Sequence, residues 1–164
     1  MKSFAKLSVA TALLAACSLV QAAIATSSML VTASVSVSGG ACSVYASPIN
    51  FGAYTGTHIN APGTISVNCL SGTAYSVSAM STRVGGPGSG VMLPVSPDSS
   101  PTPLFYQIVK PVGGASIMVS PGTSPLMGMG IGFQQNLPIT GMLFANQTAD
   151  PGNYQDTVIV TVSF

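Results

Sequence analysis

Charge is what this chain has least of. Among 164 residues only four are Lys or Arg, three are Asp or Glu and one is His. Ordinary soluble domains carry about a quarter charged residues; here the share is 4%. Such a chain has no basic surface for the nucleic-acid backbone and no field to steer a charged substrate. It also has little charge repulsion to keep it apart from its neighbours, a condition that suits a protein meant to assemble. A metal site needs several His, Cys or acidic ligands together, and the supply is too thin. Helical periodicity is missing as well: no stretch keeps a 3.6-residue apolar period over three turns, which argues against a helical fold.

Candidates for catalysis are correspondingly few. His58 is the lone histidine, inside the turn-rich Tyr54-Thr-Gly-Thr-His-Ile-Asn60, and it reads as solvated surface. Asp98 lies in Ser96-Pro-Asp-Ser-Ser-Pro101 and Asp150 in Asp150-Pro-Gly-Asn153, both turn-forming contexts. Asp156 opens the last apolar run, where its carboxylate can bond a neighbouring loop. Gly128-Met-Gly-Ile-Gly132 has no strand-then-helix setting, so it does not read as a phosphate loop. Asn146-Gln-Thr148 matches a glycosylation sequon that arises commonly by chance. The expectation is a protein that is not an enzyme, with no cofactor and no small-molecule substrate.

What is present begins with an export leader. Lys2 and Lys6 precede the apolar run Leu7 to Ala16, and small residues follow. Cleavage after Ala22 or after Ala25 fits the small-x-small rule, so residues 1–25 are assigned to a signal peptide. The rival is a lipoprotein box, Leu14-Ala15-Ala16-Cys17, which would lipidate Cys17; plain cleavage is preferred because Ser18 to Ala25 continues like an ordinary c-region. The apolar run is too short for a spanning helix, and there is no other. Without Lys2 and Lys6, only Arg83 and Lys110 face Asp98, Asp150 and Asp156, a net charge of −1. Roughly 140 residues remain, enough for one domain with a real core. Once Cys17 is set aside, Cys42 and Cys69 are left as a pair, read as a disulfide in an exported protein.

The rest is β-type. Met29-Leu-Val-Thr-Ala-Ser-Val-Ser-Val-Ser38 alternates, with Met29, Val31, Ala33, Val35 and Val37 on one side and Thr32, Ser34, Ser36 and Ser38 on the other. Gly39-Gly40 then separates it from Cys42. A short strand covers Pro48 to Gly52. Thr64–Cys69 and Thr73–Met80 both alternate across Leu70-Ser71-Gly72 and read as a hairpin. Gly85 to Gly90 reads as a flexible loop, and Met118 to Met129 as a mobile apolar loop that either packs on the body or forms an exposed sticky patch. Leu104–Val109 is a compact strand; Leu137–Phe144 is another, broken by Pro138 and Gly141. The final run, Asp156 to Phe164, alternates to its last residue. About seven short strands with turns between them predict an antiparallel β-sandwich. Its C-terminal strand is apolar on one face and should lie inside a sheet, with a partner on each side. The strand before Gly39-Gly40 is available for that place.

Taken in order, these pieces resemble the spore-coat-protein-U-like family, which contains the pilin subunits of the archaic (Csu-type) chaperone–usher pathway. The resemblance runs through the alternating N-terminal strand before Gly39-Gly40-Ala-Cys42, Ile49-Asn-Phe-Gly52, Gly63-Thr-Ile-Ser-Val-Asn-Cys69, Leu104-Phe-Tyr-Gln-Ile-Val109 and Ile139-Thr-Gly-Met-Leu143. It is most specific in Gly152-Asn-Tyr-Gln-Asp-Thr-Val158 with its alternating tail and terminal Phe164. Two departures stand out: Val109 replaces a frequent second aromatic, and the loops are poor in charge.

The resemblance implies an incomplete immunoglobulin-like Greek-key β-sandwich, residues 39–164, completed by a donor strand. Residues 26–38 would be the strand this subunit donates, through Met29, Val31, Ala33, Val35 and Val37. Val158, Val160, Val162 and Phe164 would line the receiving groove and face a chaperone strand. The implied partners are identical or related pilin subunits, a periplasmic chaperone and an outer-membrane usher. The implied place is the cell surface, reached through the periplasm, as a structural subunit of an adhesive, biofilm-associated pilus. The alternative is a secreted spore-coat or matrix protein whose N-terminal strand folds back or is swapped.

Overall fold

The structure, a computed structural model, describes residues 25–33, 40–86, 89–95, 101–118 and 125–164. Every regular element among them is a β-strand. Residues 1–24, where a leader is expected, Val35, Val37, Asp98 and residues 119–124 lie outside the described residues.

One layer is built from β2 (Cys42–Ala46), β4 (Ile59–Cys69), β10 (Gln134–Leu143), β8 (Leu104–Val109) and β7 (Ser89–Pro94), hydrogen-bonded in that order. The facing layer holds β12 (Thr157–Ser163), β5 (Ala74–Ser81) and β9 (Leu126–Met129). Strand β11 (Gly152–Gln155) pairs with β7 through Tyr154↔Pro94 and Gln155↔Leu93, so the sheet curls from one layer into the other. The N-terminal β1 (Ala25–Ala33) sits between β11 and β12 on one side and β3 (Ile49–Tyr54) on the other. Period-two alternation makes this possible: β12 reads intermediate-buried along its length, and Val158, Val160 and Val162 all face inward. Ile65 and Val67 of β4, Val77 of β5 and Leu104 and Ile108 of β8 meet them in one core. Each such side chain contributes about 1.5–3 kcal/mol by leaving water.

Three expectations are corrected. Strands β4 and β5 do not form a hairpin. The β2 and β10 strands pair with β4, whereas β5 pairs with β12 and β9. The Leu70-Ser71-Gly72 turn therefore carries the chain across the core to the other layer. Alternation predicted both strands but is silent about which neighbour each one takes. The described residues of the Gly85–Gly90 stretch are also in strands: β6 (Val84–Gly86) pairs with β7 through Val84↔Gly90 and Gly86↔Ser89.

Nor do Pro138 and Gly141 break β10, which pairs with β4 without interruption from Gln134 to Leu143. Pro138 lies where β8 is not paired to β10, so its missing N–H costs the ladder little. Gly141 is present for space: a Cβ there would stand 2.8 Å from both Ile49 Cγ2 and Phe51 Cζ. Cys42 and Cys69 are register partners on β2 and β4 and form the expected disulfide.

Candidate functional site

The site with functional character is the slot beside the last strand. Strand β12 is paired along one edge by β5, from Val158↔Ser81 to Ser163↔Ser76. Its other edge is taken by β1, in parallel, from Leu30↔Thr157 to Ala33↔Val160. The first half of β1 keeps the same register along β11, from Ala25↔Gly152 to Ser27↔Tyr154. On its far side that half runs antiparallel to β3, from Ala25↔Tyr54 to Met29↔Ile49. One continuous strand thus closes both layers at their shared opening, and it belongs to the same chain.

The motifs that flank the slot have local physical roles. In Ile49-Asn-Phe-Gly52 the pairing with β1 slips by one residue between Ser27 and Ser28. Gly52 has a φ of 71°, and Asn50 Oδ1 accepts the Gly52 N–H at 2.9 Å. This is a bulge that only glycine adopts without strain, and it bends β3 around the slot. In Gly152-Asn-Tyr-Gln-Asp-Thr-Val158 the Tyr154 hydroxyl accepts the Asp150 N–H at 2.9 Å and donates to the Asp150 carbonyl at 3.2 Å. That contact resembles the tyrosine corner of immunoglobulin-like sandwiches, which ties a strand to the loop before it.

Asp156 follows, between β11 and β12, where the chain passes from one layer to the other. It is 1% exposed. Its Oδ2 accepts the Tyr106 hydroxyl at 2.7 Å and lies within hydrogen-bond distance of the Ser81 hydroxyl. Its Oδ1 accepts the Thr157 N–H at 2.8 Å and an Arg83 guanidinium N–H at 3.2 Å. A buried carboxylate is costly unless paired and hydrogen-bonded, and this one is both. Burial, reinforced by the hydrogen bond to Asp156 and by its charge, pushes the Tyr106 phenol well above the ordinary tyrosine range. Burial raises the Tyr154 phenol as well. Both stay protonated and act as donors that lock strands, so the cluster is structural chemistry that fixes the head of the slot.

Of the residues expected in the donor strand, Met29 pairs with Ile49, Val31 with Val158 and Ala33 with Val160. The described strand begins four residues earlier than the alternating run, at Ala25. Of the expected groove residues, Val158, Val160 and Val162 are buried. Phe164 lies past the end of β12 and is 38% exposed, in a shallow recess with Tyr75 and Met127. His58 is exposed and its Nε2 bonds Asn60 Oδ1 at 2.9 Å. Asp150 Oδ2 accepts the Thr102 N–H. The grouping of Ser81, Arg83 and Tyr106 around Asp156 was not foreseen. The available signal was an acid opening an apolar strand in a chain with three acids in all. The Met118–Met129 span divides: Met118 is buried, while Met127 and Met129 on the edge strand β9 are exposed, as are Ile131 and Phe133 just after it.

A family model described as the spore coat protein U domain matches residues 4–161. Among solved structures the fold is similar to the crystal structure of HdaB, the minor tip subunit of the E. coli Hda pilus. Identity is 17%, over 74% of this chain and 82% of that one, with a TM-score of 0.43. No curated protein matches the sequence.

Proposed function

The chain belongs to the spore coat protein U domain family, and from that membership we propose that it is a structural subunit of a chaperone–usher pilus. Subunits are exported to the periplasm, held there by a chaperone and joined at an outer-membrane usher. Each lends residues 26–38 to its neighbour. The observation that carries this reading is the slot. The last strand needs a partner on its second edge, and that partner is an alternating N-terminal strand tethered through Gly39-Gly40. A separable strand that completes a sandwich can complete a neighbour's by strand addition, with main-chain bonds holding it and alternate side chains filling pockets. The low charge leaves subunits free to stack closely. An adhesive, biofilm-associated role fits the exposed Met127, Met129, Ile131 and Phe133.

The test is Val35→Asp, which puts a charge at a donor position. The variant is expected to bind its chaperone normally but to give no ladder of polymers on unboiled gels. A normal ladder overturns strand donation.

The pairing of β1 along β12 of its own chain favours a second reading, a secreted coat or matrix protein complete by itself. Electron microscopy of cells expressing the protein with its neighbouring genes separates the two, as thin fibres against amorphous material.

A further inference from the structure

We infer that β9 is a contact between copies of this chain: it pairs antiparallel with β9 of a second copy, Met127 opposite Met129 of the partner subunit. Three observations carry this. The first is an inverted strand pattern. From Met127 to Phe133 glycine alternates with large apolar residues. The glycines face the body: a Cβ at Gly128 would collide with the Tyr75 hydroxyl, and one at Gly130 with the Leu70 carbonyl. Met127 and Met129 point the other way, 81% and 60% exposed, and Ile131 and Phe133 after them are exposed as well. A strand that only covers a core keeps its apolar side inward and its polar side out; here the outer side is the apolar one.

The second is an open backbone edge. Strand β9 ends its layer, paired with β5 and, among the described residues, with nothing beyond. Gly130 donates its N–H to the Thr73 carbonyl and accepts from the Gly72 N–H, so its main-chain groups point toward β5. Bonded and non-bonded residues alternate in an antiparallel ladder, so the groups of Met127 and Met129 point toward the open edge. Such edges are usually blunted by charge, proline or a covering segment; Leu126–Met129 has neither charge nor proline.

The third is self-complementarity, because the edge is symmetric about Gly128. Turned about a two-fold axis there, the open groups of Met127 meet those of Met129 of the partner subunit, and the reverse. Side chains opposite one another share a face, so the thioethers cover each other, and methionine adapts readily to an irregular contact. A two-fold contact sets like against like, so a charge in the patch would meet its own equivalent; residues 125–149 hold none. At roughly 150–250 Å² for a large side chain, the exposed Met127, Met129, Ile131 and Phe133 offer on the order of 500 Å² per copy, so two copies approach the ~1,000 Å² of a specific interface. The slot lies along β12, on the far side of β5 from β9. One copy can therefore use both contacts, and β9 joins fibres, or coat molecules, side by side.

Register-specific cross-linking of the exported mature chain tests this. A Met127→Cys chain carrying a size tag is mixed with an untagged Met129→Cys chain, oxidised mildly and run on boiled non-reducing gels, where a donated strand no longer holds chains together. Bonded antiparallel pairs stand about 5.5 Å apart at Cα, inside the disulfide range. The mixed pair should cross-link several-fold more than either chain alone, or than either mixed with Met80→Cys, an exposed position on β5. Independently, Met127→Lys with Met129→Lys sets like charges at the edge. That variant should sediment as a smaller species than wild type at equal concentration, with an unchanged thermal midpoint. No cross-link in the mixed pair, equal cross-linking at every position, or unchanged sedimentation of the lysine variant overturns the contact.

Discussion

Asp156→Ala should be among the most damaging single changes in the domain. The alanine leaves the Tyr106 hydroxyl, on a fully buried residue, without its acceptor, and removes the bond from the Thr157 N–H. Stranding a buried donor costs about 1–3 kcal/mol, so the two together lose about 2–6 kcal/mol. The Ser81 hydroxyl adds little, because it has the Arg83 carbonyl as another acceptor. Arg83 adds little too: its side chain is 43% exposed, so water takes over, and half-exposed pairs of this kind contribute about 0–1 kcal/mol. A loss near 3 kcal/mol is a large part of the 5–15 kcal/mol that holds a typical domain together. At a urea slope of ~2 kcal/mol per molar, the midpoint should fall by about 1.5 M. Urea unfolding of the monomeric subunit, followed by circular dichroism, measures it. The second arm is Asp156→Ala with Tyr106→Phe, in which donor and acceptor leave together; at least ~1 kcal/mol should return. A midpoint shift below about 0.5 M, or a double variant worse than the single, refutes the role given to the carboxylate.

Two further outcomes follow from the same structure. Cys42→Ser opens a bridge between residues 27 apart in sequence, which removes about 3–4 kcal/mol in the chain-entropy model; periplasmic yield, read on immunoblots of cell fractions, should drop, and unchanged yield means the bridge is dispensable. Tyr106 and Tyr154 both have phenols raised by burial. Their unfolded forms ionise near pH 10 while the folded forms do not, so the folded state binds more protons there. Their contribution is therefore complete below about pH 10 and is lost progressively above it. Thermal unfolding midpoints between pH 8 and 11.5 check the sign, with Tyr106→Phe expected to show a shallower alkaline fall.

Much of this was legible in the residues because a β-strand with one buried face writes itself as alternation. Leu104–Val109 is a strand to the residue, and Val158, Val160 and Val162 are buried as their spacing requires. The Cys42–Cys69 pair and the need of the last strand for a second neighbour were equally readable. Partner choice was not. Thr64–Cys69 and Thr73–Met80 look like a hairpin locally, but β2 and β10 already occupy both edges of β4, so β5 had to cross the core. Pro138 misled for a related reason. It sits inside a long strand, at a position paired on only one side, and one-sided pairing is a property of the sheet. The Asp156 cluster draws on residues 50 to 75 positions away, a distance no local pattern spans. The alternating stretch at Met29 overlaps β1, but no local pattern names the Thr157–Val160 edge that β1 pairs with.

Strand donation itself is tested most directly by exporting the wild type and a variant lacking residues 26–38 with the same chaperone and usher, and running the surface fraction on gels without boiling. Wild type should give a ladder that collapses to a single band on boiling, and the deletion should give none while still being recovered with chaperone. A ladder from the deletion variant, or a single unboiled band from wild type, contradicts it.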